Sequence, residues 1–275
     1  MSTWLEYIKC QTKHKEKKIM AKKNIKNNAE MNNNNSNLLF TPERKVIGAE
    51  EAKLMASRCS DYNDSRSEAR NFNCCEFSGI RFEDQDLSGI EAHYAKFVDC
   101  EFLNCKLNRL EGHFSTWDNC IFKNCEIENA NFSFSNINVS FFDCNMNATD
   151  FPFCQGTLVA TQCMMRRVTA NHSSLLLNLA HVDAWGFEGN CSNLNLAISG
   201  SNCSRAEFND STLQGKVDEN TNLTDAELNR SDLSLLHIAY DCATHGMEKE
   251  DSTDDEIDSA LNKAIQELEE IVGEK

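Results

Sequence analysis

Cysteine carries most of the reactive chemistry in this chain, fourteen residues in all. In VDCEFLNCKL, Cys100 and Cys105 lie five apart, and twenty residues later Cys120 and Cys125 repeat the interval. Structural zinc sites use close pairs such as CxxC with a second pair. No CxxC occurs and Cys74 and Cys75 are adjacent, so the sequence predicts neither metal nor cofactor. A disulfide framework suits small secreted domains, whereas this chain has 275 residues and places Trp4, Leu5, Tyr7 and Ile8 ahead of its lysines, unlike a signal peptide. Reduced thiols in a cytoplasmic protein are expected, serving as small inward side chains with a weak donor.

Histidine offers one geometric relationship. His93 and His113 stand twenty apart, a surface proton or metal site if they stack and otherwise two ordinary exposed imidazoles. There is no HExxH, GxSxG, phosphate loop or glycine-rich dinucleotide fingerprint, and the sequence predicts a protein that is not an enzyme. A catalytic alternative would need a pocket of convergent polar groups within residues 143–197.

The element that must position these residues repeats every five. From Phe72, each fifth residue is large and apolar through Phe77, Phe82, Leu87, Phe97, Phe102, Leu107, Trp117, Phe122, Ile127, Phe132, Ile137 and Phe142, with Ala92 and Gly112 as exceptions. Two residues earlier runs a series of small residues: Cys75, Ala95, Cys100, Cys105, Ser115, Cys120, Cys125, Ala130, Ser135 and Ser140. Helices repeat every 3.6 residues and strands every 2, so a sustained period of five means a solenoid. A second period, of twenty, aligns Phe82, Phe102, Phe122 and Phe142 in one column and Phe77, Phe97, Trp117 and Ile137 in another. At Ala92 and Gly112 the preceding small position is filled by Ile90 and Leu110, which conserves core volume. The pattern returns at Ile198, Cys203, Phe208, Leu213, Asp218, Leu223, Leu228, Leu233 and Ile238.

With units such as SRAEF, TDAEL and NRSDL, the chain resembles the pentapeptide-repeat family, whose unit is approximately A(D/N)Lxx. The resemblance implies an all-β solenoid, a right-handed quadrilateral β-helix with four pentapeptides per coil and coils about 4.8 Å apart. It covers residues 70–240. Residues 143–197 are less regular: the frame slips at Met146 and Phe151, and Pro152 cannot donate a ladder hydrogen bond. Loops are expected near 152–172 and 188–193.

Outside the solenoid, residues 1–40 form a basic arm with MNNNNSN at 31–37, a composition that buries little, and Met20 and Met31 are alternative starts. Within 41–69, Thr41, Pro42 and Glu43 read as the cap and first turn of a short helix running to about Arg58. The acidic tail, 241–275, contains a capping box at Thr253 and Glu256 and an apolar stripe through Ile257, Leu261, Ile265 and Leu268.

The formal charge is −16, distributed as a basic first segment followed by acidic repeats and an acidic tail. No apolar run is long enough to span a bilayer, and nothing predicts direct nucleic-acid binding. The repeats are similar in texture to family members that protect DNA gyrase as DNA mimics, although Arg81, Lys96 and Lys106 interrupt the acidic position and the long arm is foreign to those proteins. The arm is similar to leaders of bacterial effectors exported by a type III-like route. The expectation is a β-helical bacterial scaffold that binds another protein, host protein or gyrase, with a homodimer through Ile257, Leu261, Ile265 and Leu268 as a further option.

Overall fold

The computed structural model describes residues 42–59 and 70–239, together with Cys242, Thr244 and Met247. Its unit is legible at Asn119–Asn124. Asn119 and Asn124 take left-handed backbone angles (φ 53° and 52°), which Asn tolerates better than most residues. Between these corners Cys120 and Phe122 point inward and Ile121 and Lys123 outward. Each pentapeptide is thus one corner, one small and one large buried residue, and two outward residues.

Stacking these units gives parallel strands: β1 (Lys45–Ile47), β2 (Cys75–Ser78), β3 (Arg81–Glu83), β4 (Lys96–Val98), β5 (Glu101–Leu103), β6 (Thr116–Lys123), β7 (Asn136–Phe142), β8 (Gln155–Thr161), β9 (Ser174–Ala180), β10 (Asn193–Ser199), β11 (Thr212–Val217) and β12 (Asp232–Ile238). They form one sheet in the order β1-β2-β4-β6-β7-β8-β9-β10-β11-β12, with β3 on β5 and β5 on β6. The result is a parallel β-solenoid of about nine turns, of the right-handed sense that parallel connections within a sheet adopt.

The expected columns are present. Phe77 stacks on Phe97 at 4.8 Å between centroids, Phe97 on Trp117 at 4.0 Å and Phe82 on Phe102 at 4.9 Å. All are buried.

The irregular middle is a change of coil, and the expected loops are absent from it. Through Asn129 the corners recur every five residues, at Phe114, Asn119, Asn124 and Asn129; from Phe134 they fall at Phe134, Asp143, Ala148, Phe153, Gln162, Arg167 and His172. Four corners per turn have become three, and turns have shortened from twenty residues to nineteen. The lost residue can be located, because pairing of β6 with β7 shifts register between Asp118 and Cys120, leaving corner Asn119 without a counterpart. Two short faces merge there into one straight strand, whose inward residues are Ile137, Val139 and Phe141. Phe141, not Phe142, therefore continues the Phe122 column.

Pro152 fits because its position needs no backbone donor: the amides of His93, Asn190 and Asn209, one or more turns away at the same place, bond to asparagine side chains instead. The second expected loop, 188–193, is also a regular turn, with Glu188 N–H on Val168 O and Gly189 N–H on Glu207 O. Phe187 and Gly189 repeat the large-for-small exchange of Ile90 and Ala92.

The first coil is closed differently from expectation. Val46 and Ile47, β-branched and suited to strands, place β1 on β2, and helix α1 spans Ala49–Cys59 instead of beginning at Thr41. Gly48 O accepts the first helical bond, from Ala52 N–H. Ala52, Ala56 and Cys59 bury against the first coil, so the helix covers that end. The basic arm and the apolar stripe Ile257, Leu261, Ile265 and Leu268 lie outside the described residues.

Candidate interaction surface

The solenoid interior is chemically closed. After each corner the backbone N–H of the small residue faces the core, and the structure satisfies it in two ways. At Ala95 and Ala206 it bonds three residues back, to Ala92 O and Cys203 O. At Ser173 it bonds to the hydroxyl of Ser192 in the next coil (3.0 Å), while that hydroxyl donates to Ala170 O (2.9 Å). The chain Ser173, Ser192, Ser211 and Ser231 repeats this arrangement.

The cysteines join the same scheme. Cys105, Cys125, Cys144 and Cys163 occupy successive turns, and the Sγ of Cys105, Cys125 and Cys144 donates to Phe82 O, Phe102 O and Phe122 O at 3.5, 3.4 and 3.5 Å. Cys144 N–H donates in turn to Cys163 Sγ. The column of Cys105 and Cys125 is therefore four thiols long, while that of Cys100 and Cys120 ends at Val139. Burial pushes the pKa of Cys154 and Cys203 up to about 12. Among the described residues no disulfide forms, and no group of three or more His, Cys, Asp or Glu could hold a metal ion.

Chemistry is thus displayed outward, in columns with one residue per turn. One column is predominantly acidic: Glu91, Glu111, Asn131, Asp150, Thr169, Glu188, Glu207 and Glu227. Asparagines of the adjoining column hold several of these carboxylates, as Asn73 does Glu91 (3.2 Å) and Asn209 does Glu227 (3.2 Å). The three basic residues that interrupt the acidic pattern are each opposed by a glutamate one turn away: Arg81 by Glu101 (3.5 Å), Lys96 by Glu76 (2.9 Å) and Lys106 by Glu126 (3.9 Å).

His93 and His113 do stack, with ring centroids 5.0 Å apart. His113 Nε2 lies 2.9 Å from Glu111, while Nδ1 of His93 is buried without a hydrogen-bond partner. Burial first, and the neighbouring His113 second, lower the pKa of His93.

An outward aromatic ridge, not anticipated by the period of five, runs along one corner: Tyr94, Phe114, Phe134, Phe153 and His172 stack at 4.6 to 5.2 Å. All five have left-handed backbone angles, uncommon for bulky residues. The sequence signal was there, in aromatics three residues before the inward series, but only corner geometry gives it meaning.

Shallow grooves also mark the described surface, and two of them are notable. One of about 370 Å³ runs over the thiol ladder between Asn104 and Met164. The other, about 580 Å³, is lined by Asn147, Arg166, Arg167, Trp185 and Asn202, with Arg166 paired to Asp183 at 2.6 Å. No helix among the described residues is long and apolar enough to cross a membrane.

Against known proteins, the family model for pentapeptide repeats matches residues 200–235 in 8 copies. Among solved structures, full-length QnrB1, described as a plasmid-mediated fluoroquinolone resistance protein, is 16% identical, covering 68% of this chain and 90% of its own, with a TM-score of 0.25. HetL, a pentapeptide repeat protein involved in heterocyst differentiation regulation from the cyanobacterium Nostoc, is 12% identical, covering 74% of this chain and 94% of its own, with a TM-score of 0.29. At these values neither carries an argument about what this chain does. No curated protein matches it.

Proposed function

We infer that this pentapeptide-repeat protein is a non-enzymatic β-helical scaffold that binds another protein through its outer faces. The observation that carries the reading is the division of side chains: inward groups are apolar or satisfied by the ladders, while outward groups stand in straight columns spaced by the coil rise. Such a surface is rigid before binding, so association would cost little ordering entropy. An acidic column bounded by asparagines suits a basic partner surface, and charge of this kind acts mainly on encounter rate and specificity. A pull-down with the purified full chain, washed at low and high salt, tests this reading: a partner released by salt and lost with Glu188→Gln and Glu207→Gln is the expected result. Retention that ignores both would overturn it.

A second reading, a DNA-mimicking protein that binds a topoisomerase such as gyrase, is favoured by the same column. Its charges come at most once per turn, about every 4.8 Å, and lapse at Asn131 and Thr169, sparser than the one phosphate per 3.4 Å of each DNA strand. Relief of quinolone inhibition in a gyrase supercoiling assay is its test. Export by a type III-like route rests on the Asn-rich arm, and an amino-terminal reporter fusion measures it. A dimer through Ile257, Leu261, Ile265 and Leu268 would follow from burial of that stripe, and Leu261→Asp tests it.

A further inference from the structure

The merged face created by the nineteen-residue turns differs from every other face. Strands β7, β8, β9 and β10 each point four side chains outward, and none of these sixteen residues is Asp, Glu, Lys, Arg or His. Eleven are amides or hydroxyls, among them Asn138, Gln155, Thr157, Asn178 and Asn195, and Leu176 is an exposed apolar residue among them. In a chain of formal charge −16 this is a neutral field, and its limits are marked by charge: Asp118 and Lys123 on β6 at one end, Lys216 on β11 and Asp232 on β12 at the other. Along one edge stand Phe134 and Phe153, 48% and 46% exposed, with their rings 4.6 Å apart.

Two properties of this field bear on what fits it. Its strands are straight and in unbroken register from Asn136 to Ser199, so it is flat where the other faces are broken by corners. Its polar groups are also self-complementary: amides and hydroxyls each donate and accept, so a patch of them can pair with an identical patch across a two-fold axis. A carboxylate column cannot, because it would meet its own charge. Elsewhere, like charge holds two copies apart.

We propose that the uncharged face of β7–β10, with the Phe134–Phe153 ridge at its edge, is an isologous contact at which a second copy of this chain docks. Four strands about 4.8 Å apart and seven residues about 3.3 Å each span about 440 Å². That is smaller than the roughly 800 Å² per partner of a standard stable interface, so the dimer is weak and concentration-dependent. It is independent of the partner named above and of the carboxy-terminal stripe.

Sedimentation equilibrium of the full chain from about 1 to about 500 µM, a range suited to weak interfaces, tests it. Self-association is expected, and it tightens as salt is raised, because screening removes the repulsion between acidic copies while leaving a neutral contact intact. Asn178→Asp with Asn195→Asp, isosteric and central in the field, weakens it at least tenfold. Asn108→Asp with Asn147→Asp, carrying the same added charge on another face, leaves it unchanged. Thermal melting confirms that both pairs fold. A monomer throughout the range would overturn the proposal. So would a field variant that dimerises like wild type, or a dimer abolished by Leu261→Asp and indifferent to the field.

Discussion

Phe122 and Phe141, nineteen residues apart, stack at 4.8 Å between ring centroids, while Phe142, which a strict period of twenty would place there, faces outward. Their pairing fixes where the coil loses a residue. Phe141→Ala should cost about 3 to 5 kcal/mol, the range for deleting a buried phenyl, whereas Phe142→Ala should stay below about 1 kcal/mol, as surface changes do. Urea denaturation of the two variants checks this. Equal losses would mean that the coil keeps twenty residues through this turn.

The hydroxyl ladder predicts a cost that size alone does not. Ser192→Ala removes little volume but leaves the buried N–H of Ser173 without its acceptor, a loss of about 1 to 3 kcal/mol. Ser192→Cys keeps a weak acceptor and donor and should recover part of it. Cys120→Ala, by contrast, forfeits only weak S–H bonds to Phe97 O and Asp118 O and should cost far less than Phe122→Ala. Chemical denaturation of all four variants separates a ladder role from mere filling.

These residues also show how far the sequence could be read. The columns from Phe72 to Ile137 were legible because period five and period twenty agree, and so was the stacked pair His93 and His113. Between Ile137 and Ile198 the exact frame was lost for one physical reason, while the later series through Ile198, Phe208, Leu213, Leu223 and Leu228 was read correctly as buried. Dropping the corner at Asn119's place changes a five-residue step into the period of two, seen at Ile137, Val139 and Phe141, and shifts the columns by one further residue at each nineteen-residue turn. Met146 and Phe151 registered that slip, but a slip alone does not distinguish a shorter coil from a loop. The exchange at Phe187 and Gly189 was decipherable from Ile90 and Ala92, had the frame been kept. The uncharged field could not be seen, because its members become neighbours only when the nineteen-residue register is known.

Gly156 marks a place where the new coil tolerates no side chain. It stands in the column of Ile137 and Leu175 with φ of +126°, and a Cβ there would lie 1.9 Å from Ile137 O. Both the backbone angle and the carbonyl oppose any other residue. Gly156→Ala should therefore destabilise by more than the roughly 1 kcal/mol typical of point changes, and a lowered melting temperature is the readout. A neutral result would show that β8 can shift away from β7.

Acid should loosen the first coils through His93. Its folded pKa is lowered, by burial first and by His113 second, so the folded state favours the neutral ring and binds fewer protons than the unfolded chain. Stability from this group is complete above the unfolded value near 6.5 and is lost as pH falls through the lowered folded value. Glu91 and Glu111 act in the opposite direction but rank below both causes. His93→Asn places there the residue found at Asn73, Asn171 and Asn190, and it cannot titrate. Melting temperatures of wild type and His93→Asn between pH 7.5 and pH 5 should diverge, wild type falling further. Parallel curves would mean that protonation of His93 is accommodated, with its unpartnered Nδ1 finding a new acceptor.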